Sequence, residues 1–154
     1  MTKNLPVPPL DSGASSGTGA DSNPARHPGE QRRRQVMGDV FVDRALAQAD
    51  DFSRPVQAWV NEHAWGSTWL REGLDLKQRS LCTVAMLAAL GRSQELKGHL
   101  RGAMNNGATL QELREVLLHV GPYAGAPALI EAFRAAKEWM ADNGLQFEEP
   151  EPRG

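Results

Sequence analysis

One compact set of residues in this chain has the types and spacing that chemistry at a pocket requires. The set is Glu95, His99, Gly102 and Asn106. At 100° per residue these positions follow one ridge of an α-helix, beside the apolar stripe that includes Leu96 and Leu100. An acid, an imidazole, a glycine that leaves space and an amide would therefore lie along the rim of a buried face.

The helices that must position this ridge are predicted from apolar periodicity. They cover 41–49, 52–65, 76–90, 94–106, 110–120 and 126–142. The predominantly apolar segment 81–90 predicts a helix that is buried around most of its girth. No segment alternates at the period of a β-strand, so the pattern is typical of an all-α domain with short connections.

Local signals predict where these helices begin and end. Asp75 and Ser93 are expected N-caps, and Thr109 with Glu112 predicts a capping box. Asn106-Gly107 has the composition of a left-handed helix end. Gly66-Ser67-Thr68 and Gly121-Pro122 are expected to break the helical pattern.

Composition divides the chain into three parts. Residues 1–30 are rich in Pro, Gly and Ser without apolar periodicity, which predicts a disordered extension. Residues 31–142 form the predicted helical domain, and 143–154 are expected to be a flexible tail. A helical domain of this size often completes its core by forming oligomers.

Charge and cysteine content exclude several classes of protein. The 17 Lys and Arg are balanced by 19 Asp and Glu, which argues against a nucleic-acid partner. The one basic run, residues 32–34, is interpreted as a solvated helix start rather than a phosphate site. A single cysteine, Cys82, excludes internal disulfides and Cys-rich metal sites, and we expect it to be a small buried residue.

The sequence shows no membrane-spanning or secretory signal, and we therefore expect a cytoplasmic protein. The apolar segment 81–90 is too short to cross a bilayer, and the N-terminus lacks the apolar core of a secretory signal. The four histidines have no metal-ligand spacing, and no phosphate-binding or dinucleotide glycine pattern occurs. We therefore expect no membrane association and no metal.

Taken in order, the helices carry strings that resemble the γ-carboxymuconolactone decarboxylases, a branch of the alkylhydroperoxidase D-like superfamily. The resemblance covers about two thirds of the chain, roughly 36–140. Its matching stretches are Met-Gly-Asp-x-x-Val-Asp-Arg-Ala (37–45), Ala-Trp-Gly-x-x-Trp (64–69), Gly-Leu-Asp-x-x-x-Arg-Ser-Leu (73–81), Leu-x-x-His-Leu-Arg-x-Ala (96–103), Asn-Asn-Gly (105–107), Glu-Val-Leu-Leu-His (115–119) and Tyr-x-Gly-x-Pro-Ala (123–128).

The resemblance implies an all-α, alkylhydroperoxidase D-like domain of about six helices, in a homohexamer. It also implies a cofactor-independent decarboxylase that converts 2-carboxy-5-oxo-2,5-dihydrofuran-2-acetate, a lactone dicarboxylate, into β-ketoadipate enol-lactone and CO2 in protocatechuate catabolism. The peroxidase branch of the superfamily has a Cys-x-x-Cys pair where this chain has Arg92 and Glu95. Without an attacking and a resolving sulfur, thiol–disulfide peroxidase chemistry is not expected.

For such a decarboxylase, His99 is the first candidate for the acid/base or the oxyanion donor, since imidazole titrates near neutral pH. The alternative is a histidine at the edge of the core that bonds to a backbone carbonyl. Glu95 could orient His99, or be only a solvated partner one turn away.

A dianionic substrate also calls for a fixed cation, preferably arginine. Arg79 is the first candidate for this carboxylate clamp, because it shares a face with Thr83, Met86 and Leu90. Its alternative role is an ion pair with Asp75 or Glu95. Arg101 and Arg44 are further candidates that the pattern does not rank.

The remaining candidates for substrate contact are aromatic or polar residues with open alternatives. Asn106 ends the ridge. His119 is either a pocket residue at the core boundary or a histidine favoured by the helix dipole. Tyr123 could donate its hydroxyl or simply pack. Trp65 and Trp69 are core or interface residues, or else a pocket wall.

Overall fold

The fold is all-α, as predicted, in a computed structural model that describes residues 26–149. No strand occurs within that range, and no helix there is long and apolar enough to cross a membrane. The elements are α1 (Pro28–Met37), α2 (Asp39–Ala47), α3 (Arg54–Trp59), a π-helix (Val60–Thr68), α4 (Leu76–Ala89), α5 (Ser93–Asn105), α6 (Leu110–Ala124) and α7 (Ala126–Asp142).

Two apolar clusters hold these helices together. The larger lies among α4, α5, α6 and α7 and includes Leu96, Leu100 and Trp139. The smaller joins α1, α2 and the π-helix and includes Val36 and Trp65. The predicted apolar stripe of α5 is thus confirmed, and α5 borders both clusters because α1 packs on it.

Glycines let α1 approach its two neighbours closely. A Cβ atom on Gly29 would overlap the carbonyl oxygen of Asn61 in the π-helix, and one on Gly66 would lie 2.9 Å from the same oxygen. On the other side of α1, a Cβ atom on Gly102 would lie 3.2 Å from Val36 Cγ1. The space-making role predicted for Gly102 is therefore confirmed, and its space is filled by α1.

The helical domain begins earlier than predicted. α1 starts at Pro28, and Gly29 is buried, because the π-helix covers this first turn. Residues 1–25 and 150–154 of the predicted extension and tail lie outside the described range. Residues 145–149 are not helical but lie against α6, where Arg114 donates to Glu149 Oε2 at 2.6 Å and covers the ring of Phe147.

Both predicted breaks were wrong. At Gly66-Ser67-Thr68 the chain stays helical as a π-helix, in which the amide of Trp69 donates to the carbonyl of Ala64 five residues earlier. Packing against α1 outweighs the low helix propensity of these residues. At Gly121-Pro122, α6 continues to Ala124, since a proline so near the end interrupts only the last turn.

Two of the three predicted helix starts are confirmed. Asp75 and Thr109 form complete capping boxes with Gln78 and Glu112, and Gly107 takes the predicted left-handed conformation (φ 86°). Ser93 was wrongly assigned as an N-cap. It is the first residue of α5, and its hydroxyl donates to Glu131 on α7 instead.

Helix α4 is less buried than its composition predicted. Only Ser80, Val84 and Ala88 are buried, one face at i, i+4 and i+8. Cys82 is exposed, which corrects its predicted burial. Met86 and Leu90, on the face shared with Arg79, are exposed as well, because no described helix covers that side of α4.

The contact at Gly29 gives a test of the fold. Gly29→Ala should lower the free energy of unfolding by about 2 kcal/mol or more, since the added methyl meets backbone that cannot move aside. Gly98→Ala is the matched control. Its methyl would meet side-chain atoms and no backbone, the flexible end of Met37 at 3.3 Å and the Phe41 ring at 3.4 Å, and helix propensity favours alanine. Equal losses in chemical denaturation of the two variants would contradict this account.

Candidate active site

His99 lies against two tryptophans at the junction of α5 and the π-helix. The His99 ring is 6.2 Å from the Trp65 ring and nearly parallel to it, at 5°. Its distance to the Trp69 ring is 6.4 Å, and the two indoles are 4.8 Å apart. Both tryptophans are buried, so they form a continuous aromatic wall beside the imidazole.

The π-helix sets the positions of this wall. Trp65 lies within it and Trp69 caps its C-terminal end. A π-helix has a wider turn than an α-helix and is rare, and such turns occur frequently at functional sites. Here it presents two indoles four residues apart to the same neighbour, so the predicted pocket-wall role is geometrically available to both.

Burial makes His99 a neutral imidazole. Loss of solvent is the main cause that lowers its pKa, the nearby positive charge of Arg33 also lowers it, and Glu95 raises it, which leaves a pKa of about 4. No described residue hydrogen-bonds to the buried Nδ1 atom. The carbonyl bond of the alternative interpretation is therefore not formed at Nδ1, and at neutral pH His99 can act as an uncharged donor or acceptor.

Arg33 is the site residue that the sequence analysis missed. It was assigned to a solvated helix start, but it is buried at 7% exposure. Its Nη1 donates to Gln57 Oε1 at 2.9 Å and to Asn61 Oδ1 at 3.4 Å. Neighbouring Arg34 does not fit the predicted solvated helix start either, since it pairs with three carboxylates.

The other polar residues of the predicted ridge, Glu95 and Asn106, lie in different environments. Glu95 is exposed and acts on His99 only through its charge, with no hydrogen bond between them. Asn106 does not join the His99 cluster. It donates to Ser80 Oγ at 2.9 Å and so ties the end of α5 to α4.

The arginines proposed as clamps lie elsewhere. Arg79 donates to the carbonyl of Arg71 at 3.0 Å, and its Nε is buried without a described partner. Neither of its predicted ion pairs forms. Arg101 is exposed, donates to Asn143 at 3.1 Å, and lines a surface groove with Arg44 on another side of α5.

His119 and Tyr123 are also apart from His99. Their rings are 5.1 Å from each other on α6, and Tyr123 is 81% exposed. They lie beside Met86 of α4, around a shallow cavity of about 220 Å³. The predicted position of His119 at the core boundary is corrected, since its side chain is exposed.

Within residues 26–149, no group of three or more His, Cys, Asp or Glu side chains is placed to hold a metal ion. The site instead combines a neutral imidazole, two indoles and a buried guanidinium. Such a combination suits a small organic anion, which needs a cation for its charge and apolar walls for its carbon skeleton.

Comparison with known proteins is consistent with a site for a small organic anion. Residues 54–138 match the model of the carboxymuconolactone decarboxylase family. The chain is 44% identical over 117 residues to 4-carboxymuconolactone decarboxylase of Acinetobacter baylyi, covering 76% of this chain and 87% of that protein. It is also 43% identical over 122 residues to nitrosuccinic acid decarboxylase of Metarhizium robertsii, covering 77% and 85%. The chain belongs to the carboxymuconolactone decarboxylase family.

The lowered pKa of His99 predicts a specific dependence of stability on pH. Between pH 6.5 and about 4 the unfolded chain takes up a proton at His99 that the folded chain does not, so stability falls as the pH falls through this window. From pH 7.5 to 4.5, wild type should lose about 2 kcal/mol more than His99→Gln. Equal losses, or a His99 NMR titration midpoint near 6.5, would contradict this prediction.

Proposed function

We propose that this chain converts γ-carboxymuconolactone into β-ketoadipate enol-lactone and CO2 without a cofactor, as a cytoplasmic enzyme of protocatechuate catabolism. The observation that carries the proposal is the 44% identity to a 4-carboxymuconolactone decarboxylase over 87% of its length. The partly buried His99 of α5, packed against the indoles of Trp65 and Trp69, supports it, because the reaction needs a polar donor in a site of low polarity.

The reaction breaks the bond between the quaternary ring carbon and its carboxylate carbon. The bonding electrons pass through the ring double bond to the lactone carbonyl oxygen, CO2 leaves, and a ring carbon then takes up a proton. A neutral His99 can donate an N–H to that oxygen as charge develops on it, and a preorganised donor of this kind is worth roughly 3–4 kcal/mol. We therefore favour the donor role over that of a free-enzyme acid, since a pKa of about 4 leaves little imidazolium at pH 7.

We propose auxiliary roles in the reaction for some of the other predicted site residues. Glu95 raises the pKa of His99, which opposes the effect of burial, and Trp65 forms the wall against the substrate ring. Arg79 remains a proposed secondary cation. Arg101 and Asn106 would have to act outside the His99 cluster.

A second substrate is favoured by a specific observation, the 43% identity to nitrosuccinic acid decarboxylase over 85% of that protein. Nitrosuccinate also carries a carboxylate on the carbon beside an electron-withdrawing group. Loss of CO2 there would place charge on nitro oxygens instead of a lactone oxygen, and the same neutral donor would serve.

The activity is tested with purified protein and each substrate. Wild type should release CO2 from γ-carboxymuconolactone with loss of its ultraviolet absorbance, and activity should persist in excess chelator. His99→Gln should lower turnover at least about tenfold with little change in thermal stability at pH 7.5. Cys82→Ser is the control and should keep most activity, because Cys82 is exposed on α4. Full activity of a folded His99→Gln protein would remove His99 from the mechanism, and binding without turnover would favour a non-catalytic protein.

We also propose that the chain forms a homo-oligomer, namely the homohexamer that its resemblance to the γ-carboxymuconolactone decarboxylases implies. Large apolar side chains are exposed on α4 and α6, among them Met86, Leu90 and Leu118, with Tyr123. Burial of such a patch is the usual driving force for association. His119 and Tyr123 would then contact substrate only if a neighbouring subunit completes a pocket there.

Light scattering tests this assembly. Wild type should have the mass of a closed oligomer at micromolar concentration, and Tyr123→Glu should dissociate it, because a buried unpaired charge is costly. Removal of residues 1–25 should change neither mass nor turnover. An active wild-type monomer would refute the assembly.

A further inference from the structure

Arg33 is a buried cation that has no carboxylate partner among the described residues. Its two hydrogen bonds go to the side-chain amide oxygens of Gln57 and Asn61, which carry no charge. A buried charge of this kind is costly unless a counter-ion completes it. Burial accordingly lowers the pKa of the guanidinium from its ordinary value.

The nearby carboxylates are already used by Arg34. Glu30, one turn before Arg34, accepts from its Nε at 2.9 Å, while Asp39 and Asp43 accept from its Nη1 at 3.1 and 2.7 Å. Two adjacent arginines of one helix are therefore treated differently. Arg34 is neutralised by three ion pairs, whereas Arg33 forms none among the described residues and feels Glu30 only through its charge.

The free donors of Arg33 have the geometry that binds a carboxylate. Both hydrogen bonds leave from Nη1, whereas Nε and Nη2 donate to no described residue and retain some contact with solvent. These two nitrogens form one edge of the guanidinium plane, and such an edge binds the two oxygens of a carboxylate in parallel.

This cation belongs to the neighbourhood of His99. Helix α1 packs against both the π-helix and α5, and Asn61, which accepts from Arg33, lies four residues before Trp65 in the π-helix. The charge of Arg33 is also felt at the imidazole, since it helps to lower the pKa of His99.

We propose that Arg33 binds the carboxylate that the substrate keeps, and so selects dicarboxylic acids for the site formed by His99, Trp65 and Trp69. The inference rests on the proposed decarboxylase function. It assigns the clamp to α1, in place of Arg79, Arg101 or Arg44.

The chemistry of decarboxylation decides which carboxylate the cation holds. A guanidinium on the leaving carboxylate would stabilise the ground state and lose its partner as neutral CO2 forms, which raises the barrier. A guanidinium on the other carboxylate is equally bound before and after the bond breaks. The leaving carboxylate is better placed against the indoles of Trp65 and Trp69, where poor solvation favours its loss.

Both activities named for the relatives fit this substrate class. γ-Carboxymuconolactone has an acetate arm besides the carboxylate that leaves, and nitrosuccinic acid has two carboxyl groups. In each case one carboxylate remains after a single decarboxylation. A clamp for the retained group therefore serves a lactone and a nitro acid alike.

The experiment compares Arg33→Gln, Arg33→Lys and the control Arg32→Gln on γ-carboxymuconolactone. Arg32 is the adjacent arginine and makes no hydrogen bond or ion pair within the described residues. Arg33→Gln should raise KM at least about tenfold with a smaller change in kcat, since it removes binding common to the ground and transition states. Arg33→Lys should lie between the two, and Arg32→Gln should match wild type.

Two further readouts separate a binding role from a structural one. Arg33→Gln should change stability at pH 7.5 little, because the lost hydrogen bonds to Gln57 and Asn61 are offset by removal of a buried cation without a carboxylate partner. It should also raise the His99 pKa measured by NMR. Arg33→Lys should keep that pKa low. A loss of stability without a change in KM would overturn the proposal, as would a KM effect confined to Arg79→Gln.

Binding of succinate tests the Arg33 clamp independently of the proposed reaction. Succinate is a dianion that lacks an electron-withdrawing group and is not decarboxylated. Succinate should shift the His99 ring resonances of wild type and bind at least about tenfold more weakly to Arg33→Gln. That result supports the clamp even if wild type proves inactive on both substrates. Turnover by wild type with equal KM in Arg33→Gln, or no succinate binding to wild type, would overturn the clamp and leave the decarboxylase proposal standing.

Discussion

The close backbone contact between α1 and the π-helix is the constraint on which the site depends. Gly29 lies so near the carbonyl of Asn61 that no side chain fits between them. This contact holds α1 over the junction with α5, where Gly102 provides space for Val36, and Asn105 adds a hydrogen bond to the Val36 carbonyl at 2.8 Å. Without α1 in this position, Arg33 would be a solvated arginine away from His99.

Burial then determines the electrostatic character of the site. Removal of water lowers the pKa values of both His99 and Arg33, and the indoles of Trp65 and Trp69 contribute no charge. The result is a neutral donor and a permanent cation in a poorly solvated space. The charge of a bound anion would interact more strongly there than in water.

The outer surfaces of α4 and α6 differ from the His99 site because they expose large apolar side chains. Met86, Leu90 and Tyr123 are exposed, although residues of these types are usually buried. His119 belongs to this surface through its contact with Tyr123. The fold thus separates the histidines of α5 and α6, one in a site completed by α1 and the other on a face that a second subunit could cover.

The sequence by itself determined the features that depend on local spacing and backbone hydrogen bonding. It predicted the all-α class, the Leu96 and Leu100 stripe, the capping boxes at Asp75 and Thr109, and the position of His99 beside that stripe. These signals involve residues within a few turns of one another, so a helical period or a cap motif is enough to find them.

Tertiary structure alone decided the rest. The burial of Arg33 depends on Asn61, 28 residues away, and a run of three arginines carries no sign of it. The π-helix at Gly66-Ser67-Thr68 packs against α1, and the low pKa of His99 arises from its burial and from the charge of Arg33. The sequence pattern also could not tell which apolar face of α4 lacked a neighbour. A helical period identifies an apolar side, but only the arrangement of all the helices determines what covers it.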